Sequence, residues 1–465
     1  MREQTSKPEG TTSAVVEPTL VLSFAQGGYG RTQRRRIPPE GLLLGREALV
    51  FEDPFEDPRM SLRHAEVRIE GDRVMVRDLG SVHGSRLNGE VLTGERPLSR
   101  GDVLRLGDTL LIFAPATDTT EAAEPELIGT SAGMLAVRRS IDLIAHRKHT
   151  VIITGETGTG KEIVARMIHQ RSGRRGPFLA MNCSLFSEPL MASDLFGHVR
   201  GAFAGATTEQ LGLFRAARGG TLLLDELAEL PLALQASLLR VLETREVRPV
   251  GATREVSVDV RVIGTSNVPL EEMIVARTFR ADLYARLAQW HIHVPPLRER
   301  REDIPALTMH LLGRCDGGGR RLTPDLAEAL LVNPWPLNVR GLLNVLSTSV
   351  LTTPGLTPLE LSPEVRAGLW TPPLHKAAES ATPQVSLDKE GLEELLTRFQ
   401  GKVASAARSI GVTRPKLYRM LWAHDLDPPS GVGEVYAPHF DCSWTFPNVQ
   451  TPKLNNPKIV SNSFC

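Results

Sequence analysis

Cysteine is scarce in this chain. There are four in 465 residues, Cys183, Cys315, Cys442 and Cys465, and no two stand at a CxxC spacing. That argues against a disulfide framework or a zinc ribbon and for reduced thiols in the cytosol. Long hydrophobic runs are missing as well. No apolar stretch approaches the ~18 residues that a membrane helix needs, and the opening MREQTSKPEG has no apolar secretion core. A cytoplasmic protein with no membrane segment is expected. Net charge is absent, with 54 Lys and Arg against 54 Asp and Glu, so any nucleic-acid contact must come from a local basic patch. Aromatic residues make up 5% of the chain, and one of them, Phe203, stands alone among glycines and alanines in HVRGAFAGATTE (198–209).

What is present divides into several domains, as this length implies. Residues 1–17 are a polar tail with no structure expected. Residues 18–115 carry short apolar runs, TLVLSF, LLLG, AEVRIE, RVMVRDL, VLRLG and TLLIFA, separated by Gly, Pro, Asp and Asn. That is the pattern of a β-sandwich or barrel. The basic run RTQRRR (31–36) reads as a solvated loop. Residues 116–126 form a low-complexity linker. Apolar strands then alternate with helical patterns over 127–300, which implies a parallel α/β fold. A helix-rich segment spans 301–369, a second linker 370–386 and a small all-α segment 387–427. Residues 428–465 have no periodicity and stay unassigned.

TVIITGETGTGKEIVARMIHQ (150–170) is a β-branched strand, a glycine-rich loop and an amphipathic helix. Its centre, Gly155, Glu156, Thr157, Gly158, Thr159, Gly160 and Lys161, followed by Glu162, fits GxxxxGK. Such a loop turns backbone N–H groups toward phosphate oxygens, and the lysine adds a positive charge. ATP is the expected ligand. Further on, GGTLLLDELAEL reads as a buried strand ending in Asp225 and Glu226. Asp225 is placed to hold Mg²⁺ and Glu226 to orient the attacking water. RVIGTSN (261–267) is another buried strand, ending in Asn267 as a γ-phosphate sensor. In TFRADLYARL (278–287), Arg280 and Arg286 are either surface residues of a helix or arginine fingers for a neighbouring subunit.

With GETGTGKE stand NCSLF, DLFGHVRGAFAGA, GLFRAARGGTLLLDE, FRADLYARL, PPLRERREDIPAL and WPLNVRGL, in this order. Residues 127–350 thereby resemble the AAA+ ATPase domain of bacterial sigma-54-dependent transcription activators. The resemblance implies a ring, a hexamer, that remodels sigma-54 RNA polymerase holoenzyme at the cost of ATP. It makes Asn182 a switch that restrains Glu226, Arg280 and Arg286 trans-acting fingers, and Arg340 the lid sensor. Leu337 stands where the family has Gly, and Gly341 where it has Glu. The segment Gly201, Ala202, Phe203, Ala204, Gly205 and Ala206 matches the GAFTGA loop that touches sigma-54, with Ala204 in place of Thr. Loss of that hydroxyl leaves open an alternative: a DNA-binding regulator that does not act through sigma-54 and uses its ATPase for assembly only.

The N-terminal strands resemble a forkhead-associated (FHA) domain, through LLLGRE, SLRHAEV and DLGSVHGSRLNG. The resemblance implies binding of a phosphothreonine protein or a Ser/Thr kinase by Arg46, Ser61, Arg63 and His83, with His64 structural; His83 replaces the family's Asn. A sandwich kept for packing or self-association is the other reading. The segment from Leu392 to Leu426 resembles a Fis-type helix-turn-helix. From Arg398 to Arg419 it has six basic residues and no acidic one, and Thr413, Arg414, Lys416, Tyr418 and Arg419 are its candidates for enhancer-type DNA.

Overall fold

The computed structural model describes residues 18–25, 33–46, 57–115, 126–184, 187–315, 317–355, 357–369 and 389–399, with single positions at 406, 421 and 426. They belong to two units, one ending at Thr371 and one starting at Pro372.

The first unit opens with a β-sandwich. Strands β1 (Pro18–Phe24), β2 (Gln33–Arg36), β3 (Leu42–Leu44), β4 (Ala65–Glu70), β5 (Arg73–Asp78), β6 (Ser85–Leu87), β7 (Glu90–Val91), β8 (Glu95–Leu98), β9 (Val103–Leu106) and β10 (Thr109–Pro115) form two antiparallel sheets. Their orders are β2-β1-β10-β9-β6-β7 and β3-β4-β5-β8. Leu20, Leu44, Val67, Val76, Leu104, Leu106 and Leu111 fill the space between them. One expectation needs correction. Part of the basic run is no loop: Gln33–Arg36 is strand β2, paired with Thr19–Leu22. Arg34 donates from Nη2 to Thr130 Oγ1 at 3.2 Å, while Arg35 and Arg36 point into solvent. A pleated edge strand can present charge outward and still complete its ladder.

The α/β core holds a parallel sheet of β11 (Val151–Thr154), β12 (Phe178–Asn182), β13 (Thr221–Asp225), β16 (Arg261–Ser266) and β17 (Trp290–His293), in the order β12-β13-β16-β11-β17. A two-stranded ribbon, β14 (Glu246–Val247) and β15 (Val256–Ser257), stands apart from it. The central strands are buried at nearly every position because both faces are covered. Helices α1 (Ala132–Ala145) and α2 (Lys161–Arg171) pack Met134, Ile141, Val164 and Ile168 on one face. Helices α3 (Glu188–Phe196), α4 (Leu213–Ala216), α5 (Leu232–Thr244), α6 (Leu270–Val275) and α7 (Ala281–Leu287) cover the other, with Phe196 and Phe214 stacked 5.9 Å apart.

The lid follows as α8 (Ile304–Arg314), α9 (Pro324–Val332), α10 (Asn338–Thr352) and α11 (Pro363–Gly368). Its core is continuous with the outer face of the sandwich. Val21, Phe24, Val103, Leu110 and Ile112 join Leu326, Leu330, Leu331 and Trp335 in one buried cluster. In the second unit, α12 (Lys389–Arg398) is described. The DNA-contact candidates Thr413, Arg414, Lys416, Tyr418 and Arg419 lie outside the described residues. No helix among the described residues is long and apolar enough to cross a membrane.

Candidate functional site

The phosphate loop leaves β11 at Thr154 and enters α2 at Lys161. Gly158 is held at φ +78, and a β-carbon there would lie 2.3 Å from Leu337 O and 3.2 Å from Arg340 Cβ. Only glycine fits so close an approach, and Arg340 is thereby placed beside the loop. Lys161 donates from Nζ to Gly155 O at 2.7 Å and Glu156 O at 3.1 Å. Burial lowers its pKa, with Asp225 and Glu226 acting against that shift. Arg300, buried behind the loop, donates to Thr159 O at 3.0 Å.

Strand β13 ends at Asp225, and Glu226 follows in the left-handed region at φ +58. Non-glycine residues seldom adopt that conformation, and it is common where a side chain must be aimed. Thr265 fixes both acids. Its hydroxyl donates to Asp225 Oδ1 and accepts the Glu226 N–H at 3.1 Å. Asn267 closes the arc, with Nδ2 3.5 Å from Thr157 Oγ1. Residues 155–162, Asp225, Glu226, Asn267 and Arg340 therefore share one lip of the sheet, the carboxyl ends of its strands. Hard carboxylate oxygens facing Lys161 there suit a magnesium ion that keeps waters and phosphate oxygens as further ligands.

Other expected partners are arranged differently. Asn182 pairs with Asp225 across the sheet, yet its Oδ1 accepts from Ser184 N at 2.8 Å and Ser184 Oγ at 2.6 Å, not from a group at Glu226. Ser184 stands two residues further along the turn that leaves β12, within reach of the carboxamide. Neither Arg280 nor Arg286 contacts its own phosphate loop. Arg280, the N-cap of α7, forks onto Asp282 at 3.0 and 2.6 Å. Arg286 donates to Leu242 O at 3.4 Å and lines a cleft with Lys148, Arg174, Arg245 and Arg261 at the amino ends of the strands. Arg261 there has burial as the main influence and falls to about 10.

The hairpin carrying Phe203 starts at His198, which bridges to Gln210 and Val250. Its tip is closed by Gly201 N to Ala206 O at 2.8 Å and Ala206 N to Phe203 O at 3.0 Å. Phe203 is 39% exposed, tilted against the His198 ring at 5.0 Å. Ala204 is exposed beside it.

At the end of the sandwich, Arg46, Arg63 and His83 are exposed around Ser61. Ser61 O accepts the Arg46 N–H at 3.1 Å, and Ser61 Oγ accepts the Val82 N–H at 3.2 Å. His64 is buried, and burial lowers its pKa. Its Nδ1 accepts the Ser61 N–H at 3.0 Å, so the neutral ring donates from Nε2 to Gly84 O at 3.2 Å. His64 thus ties the loops that carry the four candidates.

Sequence reasoning missed Thr265, Arg298, Arg300 and Asn338. Arg298, Arg300 and Asn338 lie inside the quoted motifs PPLRERREDIPAL and WPLNVRGL, but spacing alone gives them no partner. Thr265 sits in a fully buried strand beside a second hydroxyl, Ser266, and two buried hydroxyls at the end of a strand are the only signal.

Three family models match: the sigma-54 interaction domain over residues 127–293, the FHA domain over 42–107 and the AAA+ ATPase lid domain over 298–371. Transcriptional regulatory protein GlrR of Escherichia coli is 39% identical over 332 residues, spanning 69% of this chain and 72% of GlrR. Transcriptional regulatory protein ZraR of Klebsiella oxytoca is 40% identical over 323 residues, with 68% and 72% covered. Regulatory protein AtoC of Escherichia coli is 37% identical over 319 residues, with 65% and 68% covered. A phosphate loop backed by a parallel sheet, a matching lid and these relatives make the protein an ATPase, and the chain belongs to the sigma-54-dependent transcriptional regulators, carrying an FHA domain ahead of its AAA+ domain.

Proposed function

We propose that the chain couples ATP hydrolysis to remodelling of sigma-54 RNA polymerase holoenzyme through the hairpin around Phe203. One observation carries this reading. The same domain holds a phosphate loop with Asp225 and Glu226 at its lip and presents an exposed aromatic flanked only by glycine and alanine.

In this reading Lys161 neutralises phosphate charge, Glu226 orients the attacking water and accepts its proton, and Asn267 reports the terminal phosphate. Asp225 would hold Mg²⁺, which supplies charge neutralisation when bound. Asn182 would act as a switch by leaving Ser184 and turning its carboxamide so that Nδ2 donates to the Glu226 carboxylate. Arg280 and Arg286 would complete the site of a neighbouring subunit, since they do not reach their own. That requirement favours a closed ring, and the resemblance to the family makes that ring a hexamer. Arg340 would couple lid position to nucleotide. The sandwich would take a phosphothreonine protein or a Ser/Thr kinase, with Arg46 gripping the phosphate as a charged fork, Ser61 adding a hydroxyl, and Arg63 and His83 flanking the peptide. Residues 387–427 would bind enhancer-type DNA.

The test is open-complex formation on a sigma-54 promoter with ATP, beside ATP turnover, for wild type and Phe203→Ala. The expected result is promoter opening by wild type, lost in the variant, with turnover near normal. Ala204 favours the second reading, a regulator of other promoters that hydrolyses ATP only to assemble. Wild type that binds DNA and turns over ATP yet opens no sigma-54 promoter establishes that second reading.

A further inference from the structure

The phosphate loop contains a carboxylate, Glu156, between Gly155 and Thr157. A triphosphate cradled by this loop brings further negative charge to it, and like charges at such range oppose binding. Two residues outside the loop meet that carboxylate. Arg298, in the turn Leu297–Glu299 that leads from β17 to the lid, forks onto it: Nη1 to Oε2 at 2.8 Å and Nη2 to Oε1 at 2.6 Å. Asn338, the first residue of α10, donates from Nδ2 to Glu156 Oε2 at 3.2 Å and to Thr157 O at 3.0 Å. Hydrogen bonds to Arg298, then to Asn338, hold the Glu156 pKa below its ordinary value, so the acid stays charged.

Asn338 does more than touch Glu156. It is fully buried at φ +51, and its Oδ1 accepts the Leu297 N–H at 2.7 Å. Its neighbour Val339 donates its N–H to Gly158 O at 3.0 Å. One carboxamide thus joins the phosphate loop, the connector and the first turn of the lid helix, and Arg340 lies two residues further along that turn. The strained backbone at Asn338 is a cost that the three hydrogen bonds offset.

We infer that Arg298 and Asn338 are positioning residues of the ATPase: they act through Glu156, neutralising its charge and holding it aside so that the phosphate loop accepts the nucleotide. The inference rests on the ATPase alone, so failure of the sigma-54 reading leaves it intact. The fork is bidentate, which is the geometry in which a half-exposed ion pair has a measurable effect.

The test measures equilibrium binding of a non-hydrolysable ATP analogue, and KM and kcat for ATP, on the full chain at low and high salt. Arg298→Ala should weaken nucleotide binding by about tenfold, because the carboxylate is left uncompensated beside the phosphates. Adding Glu156→Gln to that variant should recover most of the loss, since the repelling charge is gone. Asn338→Asp sets a second negative charge against Glu156 and should raise KM more than it lowers kcat, with the same rescue by Glu156→Gln. The deficits should shrink at high salt, where the repulsion is screened. Arg298→Lys keeps the charge without the fork and should fall between wild type and Arg298→Ala, which keeps the test usable should the alanine variant fold poorly. If Arg298→Ala and Arg298→Lys bind as wild type does, or if Glu156→Gln rescues neither Arg298→Ala nor Asn338→Asp, the inference is overturned and the contacts are only structural.

Discussion

Arg105 of the sandwich and Glu328 of lid helix α9 form a buried ion pair, Nη1 to Oε2 at 2.7 Å. Arg105 is 8% exposed and Glu328 6%. The same Nη1 lies 2.7 Å from Asp325 Oδ1, and Arg86 Nη1 approaches Glu328 Oε2 at 3.5 Å. Around this pair the two domains share an apolar core, so the charges are removed from water only while the sandwich stays seated on the lid. The loop that carries Ser61 is tied to the same corner. Asp57, which holds Arg59 N at 2.9 Å, also accepts Asp108 N at 2.7 Å and Thr109 Oγ1 at 2.9 Å, three and four residues past Arg105.

Breaking this pair from one side should be costly. Arg105→Ala leaves Glu328 buried without its main partner, and such changes destabilise by about 3–5 kcal/mol. Arg105→Met with Glu328→Leu should recover most of that loss, because two apolar residues of similar volume need no compensation. Hydrogen exchange on α9 and β9 reads the difference: faster exchange in the single variant, near-normal protection in the double. Equal protection in wild type and Arg105→Ala would show that the apolar contacts alone hold the domains together.

Glu302 gives the junction a pH dependence. Burial, then the neighbouring Asp303, raises its pKa to about 7 from an ordinary 4.5, against the pull of Arg100 and Arg34 from the sandwich. The folded chain therefore holds this proton more tightly than the unfolded chain. Its contribution to stability is fully present below the ordinary value, declines as pH rises, and is lost once pH passes the folded value near 7. Melting temperature should fall across that window, by ~2–4 °C for each kcal/mol. Glu302→Gln should flatten the decline. A wild-type melting temperature that rises between about pH 5 and 7 would contradict the raised value at this site.

Much of the α/β site was legible because its chemistry is local. A glycine-rich loop between strand and helix, and an apolar strand ending in two acids, are read within single segments. The junction of sandwich and lid was not, for a physical reason. In TLLIFA, Leu111 and Phe113 face the sandwich core while Leu110, Ile112 and Ala114 face the lid. With both faces buried, period-2 alternation vanishes and nothing in the run marks the second partner. The two departures in WPLNVRGL were read separately, as an enlarged residue at Leu337 and a reduced one at Gly341. In the fold they are neighbours: a β-carbon on Gly341 would lie 3.3 Å from Leu337 Cβ. Leu337 has φ −100, so its position needs no glycine; the left-handed residues of this turn are Trp335 and Asn338. At i,i+4 the two positions meet as helix neighbours, which spacing can show; the turn geometry that lets position 337 do without glycine is what spacing does not show.

The placement of Arg286 away from its own phosphate loop predicts chemistry between subunits. Arg286→Ala should lower ATP turnover by about a thousandfold or more while nucleotide affinity stays near wild type. Mixing it with Glu226→Gln gives a sharper readout. Each variant alone is inert, but a ring containing both has interfaces where an intact Glu226 meets an intact Arg286, about a quarter of them at equal mixing. Turnover should reappear on mixing. Two inert variants that stay inert when mixed, in rings shown to exchange subunits, would place the finger elsewhere.

Ala204 decides how far the hairpin works as a contact device. Its methyl group is exposed next to Phe203 and offers no hydrogen bond, while the turn is already closed by main-chain bonds from Gly201 and Ala206. Backbone closure therefore does not depend on a side chain at position 204, and Ala204→Thr should leave the hairpin's shape intact. A hydroxyl at that position adds one hydrogen bond to a partner, worth about 0.5–1.5 kcal/mol, or roughly a two- to tenfold gain in engagement. The nucleotide site lies at the strand ends bearing Asp225 and Glu226, and no hydrogen bond of the tip reaches it, so basal ATP turnover should not change. Ala204→Thr should accordingly raise open-complex formation on a sigma-54 promoter severalfold at constant ATP turnover, with Phe203→Ala abolishing opening in either background. Equal opening by wild type and Ala204→Thr would assign the whole contact to Phe203. A rise in basal ATP turnover would show that the hairpin feeds back on the site and is not a passive tip.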